Sequence, residues 1–511
     1  MNKALIASLV LLIIASAATY LLRPESMEKY PLVEWMSDSN PQRFEQTELF
    51  DKWLREKHPE LAENKDLPAF GIKLSAANNQ STIIQAVSGV AGDLIDHLNV
   101  PVFAAMGLLK PLGEDAKKQG FDLNETYPNM ETLLGYEGEQ YGYPCNVVVS
   151  SFIFNEKTLK RYGMSAPRET WSTEDFEKFA RKFMENTNQG SSRRTIFYTI
   201  AAESLGETFI TINVRSYGID MYNETLTKCI ANDKRFYDVY ELLYKWTYVD
   251  KILPTAAEVA SNDTESGFGG AAFSHFINGN YATIIAGRWA MVRFRELSES
   301  ERFPMTMTLF PQGPFKNAVI GTRATGIYAG SKKYDMAKYF MEFLASKEYN
   351  DYIIKYADGL PPNPKYAVGN PDYLSPKEYP NEGNLHEKEL EYAMNYALPV
   401  PQTPYFRKTG TSWFSFALSK VMAGRATARE AVDEAVERIN SGIAESVAAN
   451  DNLAKLYRRD VELQHKIDAV KATWKYRRGK IVSGEKIPVN WIKNPFYKKY
   501  YAHLGMLKGA E

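Results

Sequence analysis

Apolar and polar positions alternate in short blocks along the first hundred residues of the body. Tyr30 to Trp35 is an apolar run of strand length, and Ser37-Asp38-Ser39-Asn40-Pro41 behind it is a turn that can cap a helix. Arg43 to His58 predicts an amphipathic helix with Phe44, Leu49, Phe50 and Leu54 on one side. Phe70 to Ala76 predicts a second strand, Ile83 to Val87 a helical stretch, and Asp93 to Leu98 a third strand. Strand, helix, strand, helix, strand is the pattern of a parallel sheet with covering helices, an α/β fold. Ligands collect at the carboxyl ends of such strands. Those ends carry Ser37 and Asp38, then Asn78 and Asn79, then Asp96 and Asn99.

Further along, Val147 to Phe154 is β-rich, and Asn155 to Tyr162 predicts a short helix. Ser172 or Thr173 caps a helix that runs to Asn186. Phe273 to Asn278 predicts a helical turn, and Tyr281 to Ala286, Met305 to Phe310 and Ile320 to Ala329 predict strands. Tyr334 to Ala345, Ser412 to Met422 and Ala428 to Ile439 predict helices, while Asp358 to Pro362 and Pro399 to Pro404 break the chain.

Length and charge narrow the possibilities. A chain of 511 residues accommodates two to four domains, or two large lobes. With 61 basic and 62 acidic side chains, it is not a protein that coats nucleic acid over its whole body. From Asn452 onward there are 14 Lys/Arg against 5 Asp/Glu, so an acidic body carries a basic tail. Two cysteines, Cys145 and Cys229, exclude a disulfide scaffold and a four-cysteine zinc site. The 6 histidines are scattered, and neither a phosphate-binding glycine loop nor a Gly-x-Ser-x-Gly elbow is present. No cofactor and no metal are expected.

At the N-terminus, Lys3 precedes an uncharged run from Ala4 to Leu22, closed by Arg23-Pro24. The run is long enough to span a bilayer. It also fits a secretory signal, with Ala15-Ser16-Ala17 as the small-x-small cleavage site. Signal peptide and uncleaved anchor (residues 1–26) both remain open, and both place the body outside the cytoplasmic membrane.

A set of segments in fixed order carries a family resemblance. Gly142-Tyr143-Pro144 is followed by Phe152-Ile153-Phe154-Asn155-Glu156, then Thr170-Trp171-Ser172 before a helix. Phe276-x-x-Gly279-x-x-Ala282 leads to Gly287-x-Trp289, and Gly326-Ile327 comes with Ser331-Lys332. Ala337-x-x-Phe340, Phe343-Leu344 and the Gly359-Leu360-Pro361 break come next. Pro401 to Trp413 then leads to Met422-x-Gly424-x-Ala426-Thr427 and Glu430-Ala431-Val432. Over about residues 30–450 the chain resembles the extracellular solute-binding proteins of ABC transporters, in the sugar-binding class that includes maltose-binding protein. The resemblance implies a two-lobed class II binding-protein fold with ligand in the cleft between the lobes. One lobe would comprise 27–146 and 310–362, the other 150–305 and 366–450, with hinge crossings near Asn146, Phe303 to Phe310, and Pro361 to Tyr366. It further implies a monomeric, non-catalytic binding protein that hands a carbohydrate, acidic or neutral, to an ABC permease, with no nucleic-acid partner.

A sugar needs aromatic planes for its apolar faces and convergent polar groups for its hydroxyl rim. By the resemblance, Trp289 and Trp413 are the planes, and Asp38 occupies a polar position that bonds ligand hydroxyls. Asn146 lies at the first hinge crossing, and Arg288 beside Trp289 suits a uronate or sulfated sugar. Asp96, Asn99 and Tyr405 complete the candidate set. Two other readings compete: an exported polysaccharide-acting enzyme using carboxylates such as Asp38 and Asp96, and a membrane-tethered solute sensor.

The tail departs from the family pattern. Leu456, Leu463, Ile467, Val470 and Trp474 predict a long amphipathic helix, and Trp491, Phe496, Tyr497, Tyr500 and Tyr501 alternate with Lys493, Lys498 and Lys499. Such a basic and aromatic segment (451–511) suits either packing back on a lobe or a membrane interface.

Overall fold

The computed structural model describes residues 32–38, 40–62, 71–77, 79–96, 100–187, 202–262, 270–400, 402–406, 412–477 and 480–509. The N-terminal run Ala4–Leu22 and the candidate Asn99 lie outside the described residues. Strands β1 (Leu32–Ser37), β2 (Gly71–Ala76) and β3 (Leu94–Asp96) pair in parallel, β1 in the middle. Their parallel pairing needs crossover connections, and helices Gln42–Lys57 and Asn79–Val87 supply them. A hairpin, β4 (Gly135–Tyr136) and β5 (Glu139–Gln140), precedes the 13-residue strand β6 (Tyr143–Asn155). Strands β7 (Thr283–Ala286), β8 (Met305–Thr308), β9 (Ala318–Ile327) and β10 (Ala397–Pro399) complete an 8-stranded sheet. The path through it is β2-β1-β3-β9-β6-β7, with β8 also on β6 and β10 on β9.

The two long strands tie the molecule together. β9 runs antiparallel to β3, matching Thr325 with Asp96, and β6 runs antiparallel to β9, matching Tyr143 with Thr325. Further along, β6 leaves β9 and pairs β7 and β8 through Ser151 to Asn155. One core lies at each end of these strands. Trp35, Phe50, Trp53, Phe340 and Phe343 pack with the parallel strands, and Phe154, Trp171, Phe209, Trp246 and Val432 build the other core. A third cluster follows the crossing itself, through Val147, Val149, Ile320 and Leu360. Burying each such side chain contributes about 1.5–3 kcal/mol.

Local capping agrees with the sequence. Asn155 accepts from the Thr158 amide at the head of Glu156–Arg161, and Ser172 exchanges bonds with Asp175 at the head of Thr173–Thr187. Thr427 and Glu430 form a capping box. The helix that follows runs to Ala448, well beyond Ile439, because Ile443 continues its buried stripe.

The tail is a helix (Asp451–Lys471), a hairpin of β11 (Lys475–Arg477) and β12 (Lys480–Ser483), and a second helix (Pro495–His503). Its aromatic side faces inward: Trp474, Phe496, Tyr497 and Tyr501 are buried together. Among the described residues, no helix is long and apolar enough to cross a membrane.

Candidate functional site

The carboxyl ends of β1 and β3 converge on one polar network. Asp96, at the end of β3, is buried and accepts from Arg323 Nη1 at 2.5 Å, from Ser37 Oγ at 2.5 Å and from Thr325 Oγ1. Arg323 also donates to Gln46 Oε1 at 3.3 Å and to the Tyr349 hydroxyl at 3.2 Å. Arg43 donates from Nε to Asp38 at 2.9 Å and from Nη1 to Asp358 at 2.6 Å. Asn146, on β6, donates to the Asp358 carbonyl at 2.8 Å. Three of the predicted residues, Asp38, Asp96 and Asn146, therefore share one bonded network. Of these, Asp38 is the most open, with its side chain 30% exposed.

A second network ties the Gly287-Arg288-Trp289 turn to the crossing. Arg288 is fully buried, and its guanidinium donates to His386 Nδ1 at 3.0 Å and to the carbonyls of Ile353, Ile354 and Gly359. It thereby closes the carboxyl end of helix Lys347–Tyr356 rather than facing an acidic ligand. Glu389 accepts from the amides of Arg288 at 2.8 Å and Val149 at 3.2 Å, joining the turn to β6. Both glycines in this assembly sit at close approaches. A Cβ on Gly287 would lie 2.7 Å from Glu389 Oε1, and Gly359, at φ +93, approaches the Val147 carbonyl too closely for a side chain. Desolvation raises the Glu389 carboxyl to about 8 and lowers the Arg288 guanidinium to about 10. Burial also lowers His386 despite its Glu382 partner 2.6 Å away. Trp289 is half-buried and stacks on Phe273, ring centroids 5.4 Å apart.

Trp413 stands elsewhere, at the head of helix Trp413–Met422, where the Ser412 side chain caps the first turn. It borders a cavity of about 230 Å³ with Tyr222 and Phe406 and the polar Glu207, Thr208, Thr211 and Ser412. Its indole N–H is buried with no hydrogen-bond acceptor among the described residues, and Arg438 stands over the ring at 5.7 Å. Tyr405 is buried away from this cavity, donating to Asp460 at 2.6 Å. Cys145 and Cys229 are both buried and free.

The sequence reading missed Arg43, Arg323 and Asp358, which bind the polar network, and Glu207, Thr208 and Thr211, which line the Trp413 cavity. The last three sit on helix Ala202–Ser216, which is buried along nearly all of Leu205 to Ser216, polar residues included, so no alternation of polar and apolar faces marks it.

Two α/β cores joined by long crossing strands, with polar side chains gathered where the strands cross, are the architecture of a class II periplasmic-type binding protein. The chain belongs to the bacterial extracellular solute-binding protein family, whose model matches residues 75–351. That membership makes it a solute-binding component acting outside the cytoplasm. The fold is similar to an ABC substrate-binding protein of Listeria monocytogenes in complex with cycloalternan (TM-score 0.66, 17% identity, 81% of this chain and 99% of that one). It is also similar to an ABC transporter solute-binding protein of Thermotoga lettingae bound with alpha-D-tagatose (TM-score 0.65, 16% identity, 81% and 100%). A third is the maltose/maltodextrin-binding domain of Bdellovibrio bacteriovorus bound to maltotriose (TM-score 0.61, 17% identity, 81% and 99%).

Proposed function

We propose that this protein captures a carbohydrate, most simply an oligosaccharide, between two lobes and delivers it unchanged to an ABC permease. The observation that carries this reading is the Trp413 cavity, on the second lobe's side, where aromatic rings stand beside hydroxyls, a carboxylate and an unpaired indole N–H. That is the surface a sugar ring requires. The sugar-bound relatives lend the same reading support. The lobes follow the expected division, 27–146 with 310–362 and 150–305 with 366–450, except that 310–321 go with the second lobe: Phe310 and Val319 pack in its core, and the changeover along β9 falls near Thr322, opposite Val147. Asp38 and Trp289 are the further contacts on this reading, and Arg288, Asp96 and Tyr405 are framework. The segment Ala4–Leu22 serves as export signal or anchor, and the protein acts as a monomer without catalysis.

A thermal-shift screen of the purified protein against mono- and oligosaccharides, uronates and sulfated sugars included, tests the reading. One sugar class is expected to raise the midpoint through binding to the native state, with no product on prolonged incubation. Cleavage would make the protein an enzyme, and no shift with any sugar would sink the carbohydrate assignment. Trp413→Ala is expected to weaken the sugar about tenfold, roughly 1.4 kcal/mol, with the unfolding midpoint of the free protein little changed. Titration calorimetry reads the affinity, and an unaltered dissociation constant would place the ligand elsewhere.

A further inference from the structure

The tail is fastened to the two lobes in different ways. On the second lobe the attachment is buried. Glu224 accepts from Lys471 at 2.6 Å, the Tyr501 hydroxyl at 2.6 Å and Gln464 at 2.8 Å. Asn494 donates to Asp220, and Tyr405 donates to Asp460. Toward the first lobe the contacts include two open ion pairs. Arg459 forks onto both oxygens of Glu137, at the β4–β5 turn, at 3.0 and 3.2 Å, and Lys498 reaches Glu131 at 3.2 Å. These four side chains are 33–53% exposed. Between them the interface is not filled. A cavity of about 390 Å³ opens there, bordered by Glu131 and Glu137 on one side and by Asp460 and Lys498 on the other.

We propose that Arg459 and Lys498 are positioning residues: the tail is a strap carried by the second lobe, and its two ion pairs set the angle of the first. The physical case rests on the contrast. A packed interface resists rotation through every contact it holds; where the tail meets the first lobe the interface is unfilled, so the charges at its rim carry the restraint that the tail adds to the buried Arg288 and crossing-strand contacts between the lobes. Open ion pairs are weak and screened by salt. The strap therefore biases the hinge without locking it, and ionic strength enters the lobe equilibrium and through it the affinity for solute. This inference rests on the lobe division proposed above but not on the identity of the ligand.

The test measures the distance between spin labels at Lys118→Cys and Lys182→Cys, one exposed position on each lobe, in the full protein without ligand. The native cysteines are fully buried, which confines labelling to the introduced sites. Lys498→Glu and Glu131→Lys are each expected to shift or broaden the distance distribution, and raising salt from about 0.05 to 0.5 M should move the wild type the same way. The double reversal Glu131→Lys/Lys498→Glu is expected to restore the wild-type distribution. Solute affinity should follow the same pattern, with changes of about two- to fivefold. Distributions that superimpose across all variants, or a double reversal that fails to restore, would overturn the proposal. Failure to bind any sugar would leave the distance result intact and count against the carbohydrate reading alone.

Discussion

Arg323→Met is expected to lower the unfolding free energy by about 3–5 kcal/mol, the usual cost of breaking a buried ion pair from one side. The guanidinium is 3% exposed and the Asp96 side chain 0%. Removing it leaves the carboxylate at the end of β3, bonded by the Ser37 and Thr325 hydroxyls and the Cys145 thiol, without the guanidinium that pairs with it. Gln46 and Tyr349 lose a donor in the same step. Lysine would not replace it, because one ammonium cannot present the planar fork that reaches Asp96 and Tyr349 together. Arg323→Met combined with Asp96→Leu should recover much of the loss, since the buried charge disappears with its partner. Urea denaturation of the three variants measures this. A double variant no more stable than the single one would mean that the penalty lies in packing against Trp35, over which Arg323 sits at 5.6 Å.

The same residue shows what the sequence could and could not disclose. Strands β1 and β2, the capped helix from Thr173 and the helix Tyr334–Ala345 were legible because each carries a local signal: a run of alternation, a cap, a stripe. The site was legible only in part. Asp38, Asp96 and Asn146 could be placed at strand ends and a crossing, and they do share a network. Their partners could not be foreseen. Arg323 lies 227 positions from Asp96 and Asp358 lies 315 from Arg43, separations that no window of the chain spans. Arg288 illustrates the opposite difficulty. Beside a tryptophan on a glycine turn it resembles a ligand-facing cation, yet three carbonyls and His386 claim it once helix Lys347–Tyr356 packs behind the turn. The tail divided more simply, since its apolar period predicts a helix and its aromatic residues supply the buried side.

Glu389 should make stability fall as pH rises toward 8, an unusual direction for a carboxylate. Its folded value, near 8, lies above the ordinary 4.5 because burial disfavours the charge more than the two amide donors and Arg288 favour it. The native state therefore holds a proton that the unfolded chain releases above about 4.5. This contribution is complete below 4.5 and is lost as pH climbs to 8, about 5 kcal/mol over the whole window at 1.36 kcal/mol per unit. His386 acts in the opposite sense. Its folded value is below the ordinary 6.5, so stability is lost as pH falls beneath 6.5 and the unfolded chain takes up the proton. Between about 4.5 and 6.5 the two slopes oppose each other; above 6.5 Glu389 acts alone, costing about 2 kcal/mol by pH 8. The shifted groups around the turn, Arg288, Tyr127, Tyr373 and Glu382, do not release protons in that upper window. Glu389→Gln carries a constant offset, because one amide loses its acceptor, but no slope from this site. Urea midpoints for wild type and Glu389→Gln from pH 5 to 8.5 should converge as pH rises if the proton is there. Parallel curves would mean that the Val149 and Arg288 amides, with the guanidinium behind them, keep the carboxylate charged, and that the link between the Trp289 turn and β6 is an ionic one throughout.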